Sequence, residues 1–190
     1  MITTDGKVQR SAVPAPINQC IAILLNGPSS SGKSTLAKAL QALVMDRRNE
    51  RYAIISIDDY MKIPENETIY EDDVFEISGD LCQGALDALK TSDGVIIDHV
   101  ITSKRIYQGL RDALQSCSLK TVRVTCPLDI LKKREAARGN RCLGSAESSD
   151  TWLYPKDGYD FVVDTGRSLP SDVAEIVYCS LLTDQGDMRK

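Results

Sequence analysis

The residues most able to do chemistry form one short run near the start of the chain. The run at 27–35 reads GPSSSGKST and fits the pattern G-x-x-x-x-G-K-[ST]. Glycines in such a loop let successive backbone N–H groups face an anion, and the dipole of a following helix adds to the same field. The Lys33 ammonium suits the β- and γ-phosphates of a nucleotide, and the Ser34 hydroxyl can ligate Mg2+. The predicted phosphate-binding residues are Gly27, Pro28, Ser29, Ser30, Ser31, Gly32, Lys33, Ser34 and Thr35.

Two aspartates come directly after apolar runs further along the chain. Asp58 could accept the proton of a hydroxyl group or orient a nucleophile, as phosphoryl transfer requires. The alternative is that Asp58 and Asp59 cap a turn or a helix, which is ordinary chemistry for aspartate. An aspartate such as Asp98, at the end of a second apolar run, typically holds the magnesium of a phosphate-binding loop. We predict Asp58 as the catalytic carboxylate and Ser34 with Asp98 as metal ligands.

A cluster of basic residues lies between positions 132 and 141. Arg134 and Arg138 are four residues apart and so share one helix face, and Arg141 extends the cluster into the next loop. Converging guanidinium groups suit phosphate binding and the stabilisation of transferring charge. The alternative is a solvated basic face paired with Glu135. The polar segment that follows, at about 139–158, is predicted to be a lid over the nucleotide.

The elements that must position these residues alternate along the chain. Short, nearly continuous apolar runs are followed by segments with helical spacing, which predicts a parallel sheet covered by helices on both faces. Such a sheet binds ligands at the carboxyl ends of its strands. The predicted strands are residues 21–25, 53–57, 95–97, 122–124 and 161–163. Helices are predicted over the apolar stripes at 36–44 and 106–117, from Pro127, and from Pro170.

Length and charge exclude several classes of protein. A chain of 190 residues suits one domain, and a formal net charge of -4 gives no electrostatic signature of a nucleic-acid or membrane partner. The apolar runs are too short to cross a bilayer, and residues 1–18 lack the apolar stretch of a signal peptide. We therefore expect a cytoplasmic protein with a flexible leader at 1–18 and a single domain at 19–190. Assembly into a homo-oligomer stays open.

The cysteines show no spacing typical of a metal site. No two of the six lie in a C-x-x-C arrangement, and the chain has one histidine. This pattern predicts buried, reduced thiols. The cysteines are Cys20, Cys82, Cys117, Cys126, Cys142 and Cys179.

Several segments, taken in chain order, resemble the chloramphenicol phosphotransferase-like family of P-loop kinases. They are the loop at 27–35, ID at 57–58, VIID at 95–98, REAARGNR at 134–141 and YDFVVDT at 159–165. The resemblance extends over about residues 19–183. Its most specific part is the REAARGNR run followed by YDFVVDT, which ordinary nucleotide kinases lack.

The resemblance implies a three-layer α/β P-loop NTPase fold, with a five-stranded parallel sheet of the shikimate- and nucleotide-kinase type and an arginine-bearing lid. It implies ATP and Mg2+, and transfer of the γ-phosphoryl group to a primary hydroxyl of a small molecule, as in 3-O-phosphorylation of chloramphenicol. The family's base falls on Asp58, and its adenine-side segment falls at Thr165. Its lid arginines fall on Arg134, Arg138 and Arg141, of which Arg138 also belongs to the nucleotide-binding set.

Two positions depart from the family pattern and leave the acceptor open. His99 follows Asp98 where the family has a second acid, and Asn140 replaces an acid in the lid run. His99 is expected to pack or hydrogen-bond rather than to do acid–base chemistry. The alternative functions are a nucleoside or nucleotide kinase, a sugar-nucleotide kinase of the zeta-toxin sort, a nucleic-acid end kinase, and an ATP-binding regulatory module that is not a kinase.

Overall fold

The strands form one parallel sheet that positions the phosphate-binding loop at its centre. The computed structural model describes residues 20–61, 70–138 and 143–183, so the predicted leader, Asn140, Arg141 and Cys142 lie outside the described residues. The predicted five-stranded sheet is confirmed, with the order β2-β3-β1-β4-β5 and every pair parallel. The strands are β1 (Ile21–Asn26), β2 (Tyr52–Ser56), β3 (Gly94–His99), β4 (Ser118–Thr125) and β5 (Phe161–Asp164). The helices are α1 (Lys33–Arg48), α2 (Ile57–Tyr60), α3 (Glu71–Ala88), α4 (Lys104–Ala113), α5 (Leu128–Arg138), α6 (Ser145–Trp152) and α7 (Pro170–Leu181).

Helices cover both faces of the sheet, which explains why its central strands are apolar throughout. Side chains alternate along β1, so that Ile23 and Leu25 face α1 and α7, whereas Ala22 and Leu24 face α3 and α4. All four are fully buried. Burying a Leu or Ile side chain stabilises a fold by about 1.5–3 kcal/mol, so the two cores hold β1 firmly in the middle of the sheet. The loop that follows β1 is therefore attached to a buried strand at the centre of the sheet.

The second strand ends one residue earlier than predicted. The apolar run at 53–57 was expected to be strand throughout, but β2 ends at Ser56 and Ile57 begins the short helix α2. The Ser56 hydroxyl accepts a hydrogen bond from the backbone N–H of Asp58 at 3.4 Å and so caps that helix. Asp58 consequently lies in the first turn of α2 and does not directly follow a strand.

Helix boundaries also differ from the predicted ones. The longest of the described helices, α3, was not predicted, because Gly79 and Gly84 lie inside it and lower its intrinsic helix propensity. The stripe at 106–117 predicted helix through Cys117, but α4 ends at Ala113 and Cys117 lies in the turn before β4. Pro127 precedes α5, and its carbonyl accepts from the N–H of Leu131 at 3.0 Å.

The prediction of uniformly buried thiols was wrong for some of the cysteines. Cys82 and Cys117 are buried, but Cys20 and Cys126 are only half-buried and Cys179 is exposed on α7. Across the described ranges, no helix is both long and apolar enough to cross a membrane.

Candidate active site

A cleft of about 430 Å³ opens at the carboxyl ends of β1 and β3. This is the edge at which a parallel sheet is expected to bind its ligand. Most of the residues predicted from the sequence line it, and the structure therefore brings them together. They are Ser29, Ser30, Gly32, Lys33, Ser34, Thr35, Asp58, Asp98, Arg134, Arg138 and Thr165. Gly27, Pro28 and Ser31 belong to the same loop and are buried behind it.

The loop between β1 and α1 has the backbone of an anion-binding concavity. Ser30 and Gly32 have φ angles of 62° and 88°, and left-handed residues of this kind occur in loops whose successive N–H groups face an anion. A left-handed serine costs roughly 1–2 kcal/mol, which the surrounding structure must offset. The first turn of α1 contains no acidic residue that would compete for its N–H groups. Within the described ranges, the buried hydroxyls of Ser30 and Ser31 have no hydrogen-bond partner. These donors fit the phosphate groups of a nucleotide.

Lys33, Ser34 and Asp98 form a buried polar cluster at the base of the cleft. The Ser34 hydroxyl donates to Asp98 Oδ2 at 2.6 Å, and Lys33 Nζ lies 3.9 Å from Asp98 Oδ1. Lys33 Nζ also donates to the carbonyl of Pro28 at 2.9 Å. Asp98 is placed here because it is in register with Leu25 of β1, the strand that leads into the loop.

The Ser34 and Asp98 oxygens could hold a magnesium ion. Mg2+ prefers oxygen ligands and is usually bound by one or two side chains together with phosphate oxygens and water. No group of three or more His, Cys, Asp or Glu side chains that could hold a metal ion occurs in the described part of the chain. The donor set thus fits a magnesium ion shared with a nucleotide, and it does not form an all-protein metal cage.

Arg134 and Thr165 support the phosphate-binding loop from the β4–β5 side. Arg134 Nη2 donates to the Thr165 carbonyl at 2.8 Å, and Nη1 donates to the Ser31 carbonyl at 3.5 Å. The Thr165 hydroxyl donates to the same Ser31 carbonyl. The Thr165 N–H donates to the carbonyl of Thr125 at 3.0 Å, which extends the pairing of β4 with β5 beyond β5. Thr165 was expected beside the adenine; its hydroxyl contacts backbone carbonyls of the phosphate-binding loop and of β4, and its own carbonyl accepts from Arg134.

Arg134 does not belong to a solvated face paired with Glu135, because it binds backbone carbonyls and Glu135 has other partners. Glu135 is buried and accepts hydrogen bonds from the N–H groups of Gly144 at 2.9 Å and Ala146 at 2.7 Å. A carboxylate at this position compensates the positive end of the α6 dipole. Arg138 is exposed and lines the cleft, and the position of Arg141 lies outside the described residues.

Asp58 lies on the opposite side of the cleft from the arginines. Its side chain is exposed, and it lines the same cavity as Lys33 and Asp98. Asp59 is exposed as well but does not line the cavity. An exposed carboxylate within reach of the phosphate site is able to take a proton from a bound hydroxyl group.

His99 is a buried structural contact between β3 and α3. It is fully buried, and its Nε2 lies 2.9 Å from the Ser78 hydroxyl. Because that hydroxyl donates to the Val74 carbonyl at 2.5 Å, His99 Nε2 acts as the donor. Burial, aided by the nearby Lys33 charge and only partly offset by a backbone hydrogen bond at Val100 and by the Asp58 charge, lowers the pKa of His99 to about 4, so the ring is neutral at pH 7.

Asn26 is a positioning residue that sequence reasoning missed. It is fully buried at the end of β1, where its Nδ2 donates to the Tyr154 carbonyl at 2.8 Å and to the Tyr159 hydroxyl at 2.7 Å. Its Oδ1 accepts from the Ile101 N–H at 2.9 Å. Asn26 therefore ties the segment after α6 to the strand ends. The signal available in the sequence was a polar side chain at the end of an apolar run, directly before Gly27.

Ser149 was also missed, and it links α6 to the phosphate-binding loop. Its hydroxyl accepts from the Ser29 N–H at 2.8 Å and donates to the Ala146 carbonyl at 3.0 Å. Nothing in the sequence distinguished Ser149 from the other polar residues of the segment. Through this bond and the Glu135 contacts, α6 is fastened at the edge of the cleft.

A parallel sheet in this order, with a G-x-x-x-x-G-K-S loop after its central strand, is the fold of P-loop kinases. The chain belongs to the chloramphenicol phosphotransferase-like protein family, whose sequence profile matches residues 20–181. The resemblance seen in the motifs is thereby confirmed. Among curated proteins no sequence matches this chain.

Several solved structures share the fold, and three of them are kinases. An APS kinase of Mycobacterium tuberculosis in complex with AMPPNP and APS superposes with a TM-score of 0.67 at 15% identity, covering 87% of this chain and 99% of that one. A sugar kinase from Janibacter sp. HTCC2649 has a TM-score of 0.64 at 18% identity, covering 85% and 94%. A gluconokinase from Sinorhizobium meliloti 1021 also has a TM-score of 0.64 at 18% identity, covering 84% and 90%. At these identities the likeness establishes the fold.

Proposed function

We propose that this protein is a kinase that transfers the γ-phosphoryl group of ATP to a hydroxyl group of a small molecule. The observation that carries the proposal is that one cleft contains both the Lys33–Ser34–Asp98 cluster and the exposed carboxylate of Asp58. Membership of the chloramphenicol phosphotransferase-like family supports it. The kinase fold and the AMPPNP bound to the APS kinase neighbour are consistent with ATP as the phosphoryl donor.

The nucleotide phosphates bind at the concave loop and the start of α1. The N–H groups of residues 30–35 and the Lys33 ammonium supply positive charge to the β- and γ-phosphates. Ser34 and Asp98 would hold Mg2+, whose charge would offset that of the phosphate groups. Ser168, Pro170 and Val173 line the same cleft beyond Thr165, and the last two offer an apolar wall. We assign the adenine to that wall.

Asp58 takes the proton of the acceptor hydroxyl. Arg134 and Arg138, with Arg141 as the third member of the predicted set, stabilise the charge on the transferring group. Phosphoryl transfer requires little covalent chemistry from the protein. The rate enhancement therefore comes from positioning and from electrostatic stabilisation.

The segment at 139–158 acts as the lid of a single kinase domain at 19–190. It contains α6, which contacts the phosphate-binding loop through Ser149. A lid at this position excludes water from the cleft, and water would otherwise compete with the acceptor for the phosphoryl group.

The acceptor is a small molecule with a free hydroxyl, and chloramphenicol and related alcohols are the first candidates. The test is a pooled screen in which purified protein, ATP and Mg2+ are incubated with hydroxyl-bearing metabolites, nucleosides, sugar nucleotides and antibiotics. We expect mass spectrometry to find one compound that gains one phosphoryl group, and the gain to vanish with Asp58→Asn. Slow release of phosphate that no acceptor stimulates would contradict the proposal and favour an ATP-binding regulatory module.

A further inference from the structure

Two cysteines lie against each other at the end of the sheet opposite to the cleft. Cys20 directly precedes β1, and Cys117 directly precedes β4. The two strands are neighbours, with Ile21 in register with Ser118, and the Ser118 N–H donates to the Cys20 carbonyl at 2.8 Å. The backbone thus holds side by side two residues that are 97 positions apart in the sequence.

The two sulfur atoms are closer than ordinary packing allows. Cys20 Sγ and Cys117 Sγ are 2.6 Å apart, whereas heavy atoms without a bond between them pack at about 3.5–4 Å. The length of a disulfide bond is about 2.05 Å. Both side chains belong to the same apolar cluster, on the face of the sheet that α3 and α4 cover, so they point in the same direction. Only a small movement separates this contact from a covalent bond.

We propose that Cys20 and Cys117 are a modification site, at which an intramolecular disulfide forms by exchange with a small disulfide such as oxidised glutathione. None of the other described cysteines is within bonding distance of a second sulfur. Cys82 is buried between α3 and the sheet, Cys126 contacts Arg134, and Cys179 is exposed on α7.

Exposure determines the order of the two steps. Cys20 is half-buried, and Cys117 is only 6% exposed. The Cys20 thiolate therefore attacks first: its sulfur bonds to one sulfur of glutathione disulfide, the bond between the two glutathione sulfurs breaks, and one glutathione thiolate leaves. The Cys117 thiolate then attacks Cys20 Sγ and expels the second glutathione. Each leaving thiolate takes up a proton that a cysteine released, so two protein thiols are oxidised and one disulfide is reduced to two thiols.

The second step needs the buried Cys117 thiol to ionise. While both thiols are free, burial, followed by the neighbouring Cys20, raises the pKa of the Cys117 thiol to about 11, and burial still opposes its ionisation after Cys20 has become a mixed disulfide. Ring closure should therefore accelerate as the pH rises. The short sulfur–sulfur distance favours closure once the thiolate forms.

The bond joins the amino ends of β1 and β4 and leaves the cleft untouched. A cross-link that closes a long loop restricts the unfolded chain and so raises the stability of the fold. The phosphate-binding loop lies at the other end of β1, so the disulfide should raise thermal stability without changing turnover. The inference is therefore independent of the proposed kinase activity.

The test uses the purified full-length chain in glutathione buffer, first fully reduced and then oxidised. Free thiols are alkylated under denaturing conditions, and the peptides are mapped by mass spectrometry. We expect the wild-type chain to lose two alkylatable thiols and to yield a peptide pair joined through Cys20 and Cys117. The oxidised protein should melt several degrees higher than the reduced protein, and dithiothreitol should reverse the difference.

Three variants make the test decisive. Cys117→Ser should stop after the first step and accumulate one glutathionyl group on Cys20, whereas Cys20→Ser should form neither the adduct nor the bond. Cys179→Ser, which alters an exposed cysteine far from the pair, should behave like the wild-type chain. The proposal is overturned if Cys20 and Cys117 remain fully alkylatable in oxidised glutathione, or if the wild-type chain stops at a Cys20 adduct even at high pH.

Discussion

The two sides of the cleft are built in different ways. On the side proposed to bind the nucleotide (the nucleotide side), Lys33 and Asp98 are buried together, and Arg134 and Thr165 hold the backbone of the phosphate-binding loop. On the side proposed to receive the acceptor (the acceptor side), Asp58 is exposed on a helix of four residues. Further along the chain on that side, residues 62–69 lie outside the described ranges.

Under the proposed function, the buried side binds the nucleotide phosphates and the exposed side receives the acceptor hydroxyl. Short elements and loops such as those of the exposed side can change without disturbing the sheet. Changes on the nucleotide side should therefore abolish every phosphoryl transfer, whereas changes on the acceptor side should affect turnover and leave nucleotide binding intact.

The largest effect is expected from Lys33→Ala. The substitution removes the cation nearest the phosphates and leaves the buried Asp98 carboxylate without it, a change that costs about 3–5 kcal/mol. We expect nucleotide affinity to fall on the order of 100- to 1000-fold and turnover to be lost. Calorimetric titration with AMPPNP measures the affinity. Lys38→Ala, an exposed lysine on the same helix, is the matched control and should bind normally. Tight binding by Lys33→Ala would contradict the assignment of the loop.

Asp58→Asn should lower turnover without changing nucleotide binding. The amide keeps the shape of the carboxylate but cannot accept the acceptor's proton, so kcat should fall on the order of 100- to 10,000-fold. The dissociation constant for AMPPNP should not change. Asp59→Asn alters the neighbouring exposed carboxylate, which does not line the cleft, and should retain activity. Near-normal turnover by Asp58→Asn would reject Asp58 as the base.

The sequence predicts the nucleotide side well because the residues that form it lie in short, continuous motifs. The phosphate-binding loop lies within residues 27–35, and Asp98 is found by the rule that parallel strands present their carboxyl ends to the ligand. The sheet follows from the alternation of apolar runs and helical stripes. The one-residue error at Ile57 arose because an apolar residue is buried equally well at a strand end and at a helix start.

The missed contacts join residues that are far apart in the chain. Asn26 binds the Tyr154 carbonyl and the Tyr159 hydroxyl, 128 and 133 positions away, and Ser29 binds Ser149 at a separation of 120. No local pattern specifies such a partner, because the partner is chosen by how the lid segment folds back onto the sheet. The absence of α3 from the predicted helices has a related cause: packing against α4 and the sheet, and not intrinsic propensity, stabilises a helix that contains two glycines.

A smaller effect on the acceptor side is expected from Gly84→Ala. A Cβ at position 84 would lie 1.9 Å from the Tyr60 hydroxyl, so the tyrosine must move. Tyr60 is two residues from Asp58 on the same short helix, α2, so its movement should also shift Asp58. Displacement of a catalytic group by a fraction of an ångström should lower kcat by about tenfold without weakening AMPPNP binding. Activity with the identified acceptor and calorimetry together measure this split.

Two further variants distinguish displacement of α2 from general destabilisation. Gly79→Ala lies on the same helix, where an added Cβ meets nothing within 4 Å, and it should be neutral or slightly stabilising. Tyr60→Phe removes the hydroxyl that the new methyl group meets, so Gly84→Ala combined with Tyr60→Phe should recover most of the lost turnover. Failure of that rescue would show that α2 is not positioned through the contact between Tyr60 and Gly84.

The smallest effect is expected from Ser149→Ala, which removes the hydrogen bond between α6 and the Ser29 N–H. A single hydrogen bond is worth about 1 kcal/mol, which corresponds to roughly a fivefold change in an equilibrium constant. Because Glu135 still binds the start of α6, the lid should loosen and not detach, so the KM for ATP should rise by about that factor while kcat changes less. Ser148→Ala, an exposed neighbour on the same helix, should leave both constants unchanged. Equal KM values for the two variants would mean that α6 does not affect nucleotide binding through Ser149. The firm structure of the nucleotide side would then depend on the phosphate-binding loop and Arg134, without a contribution from α6.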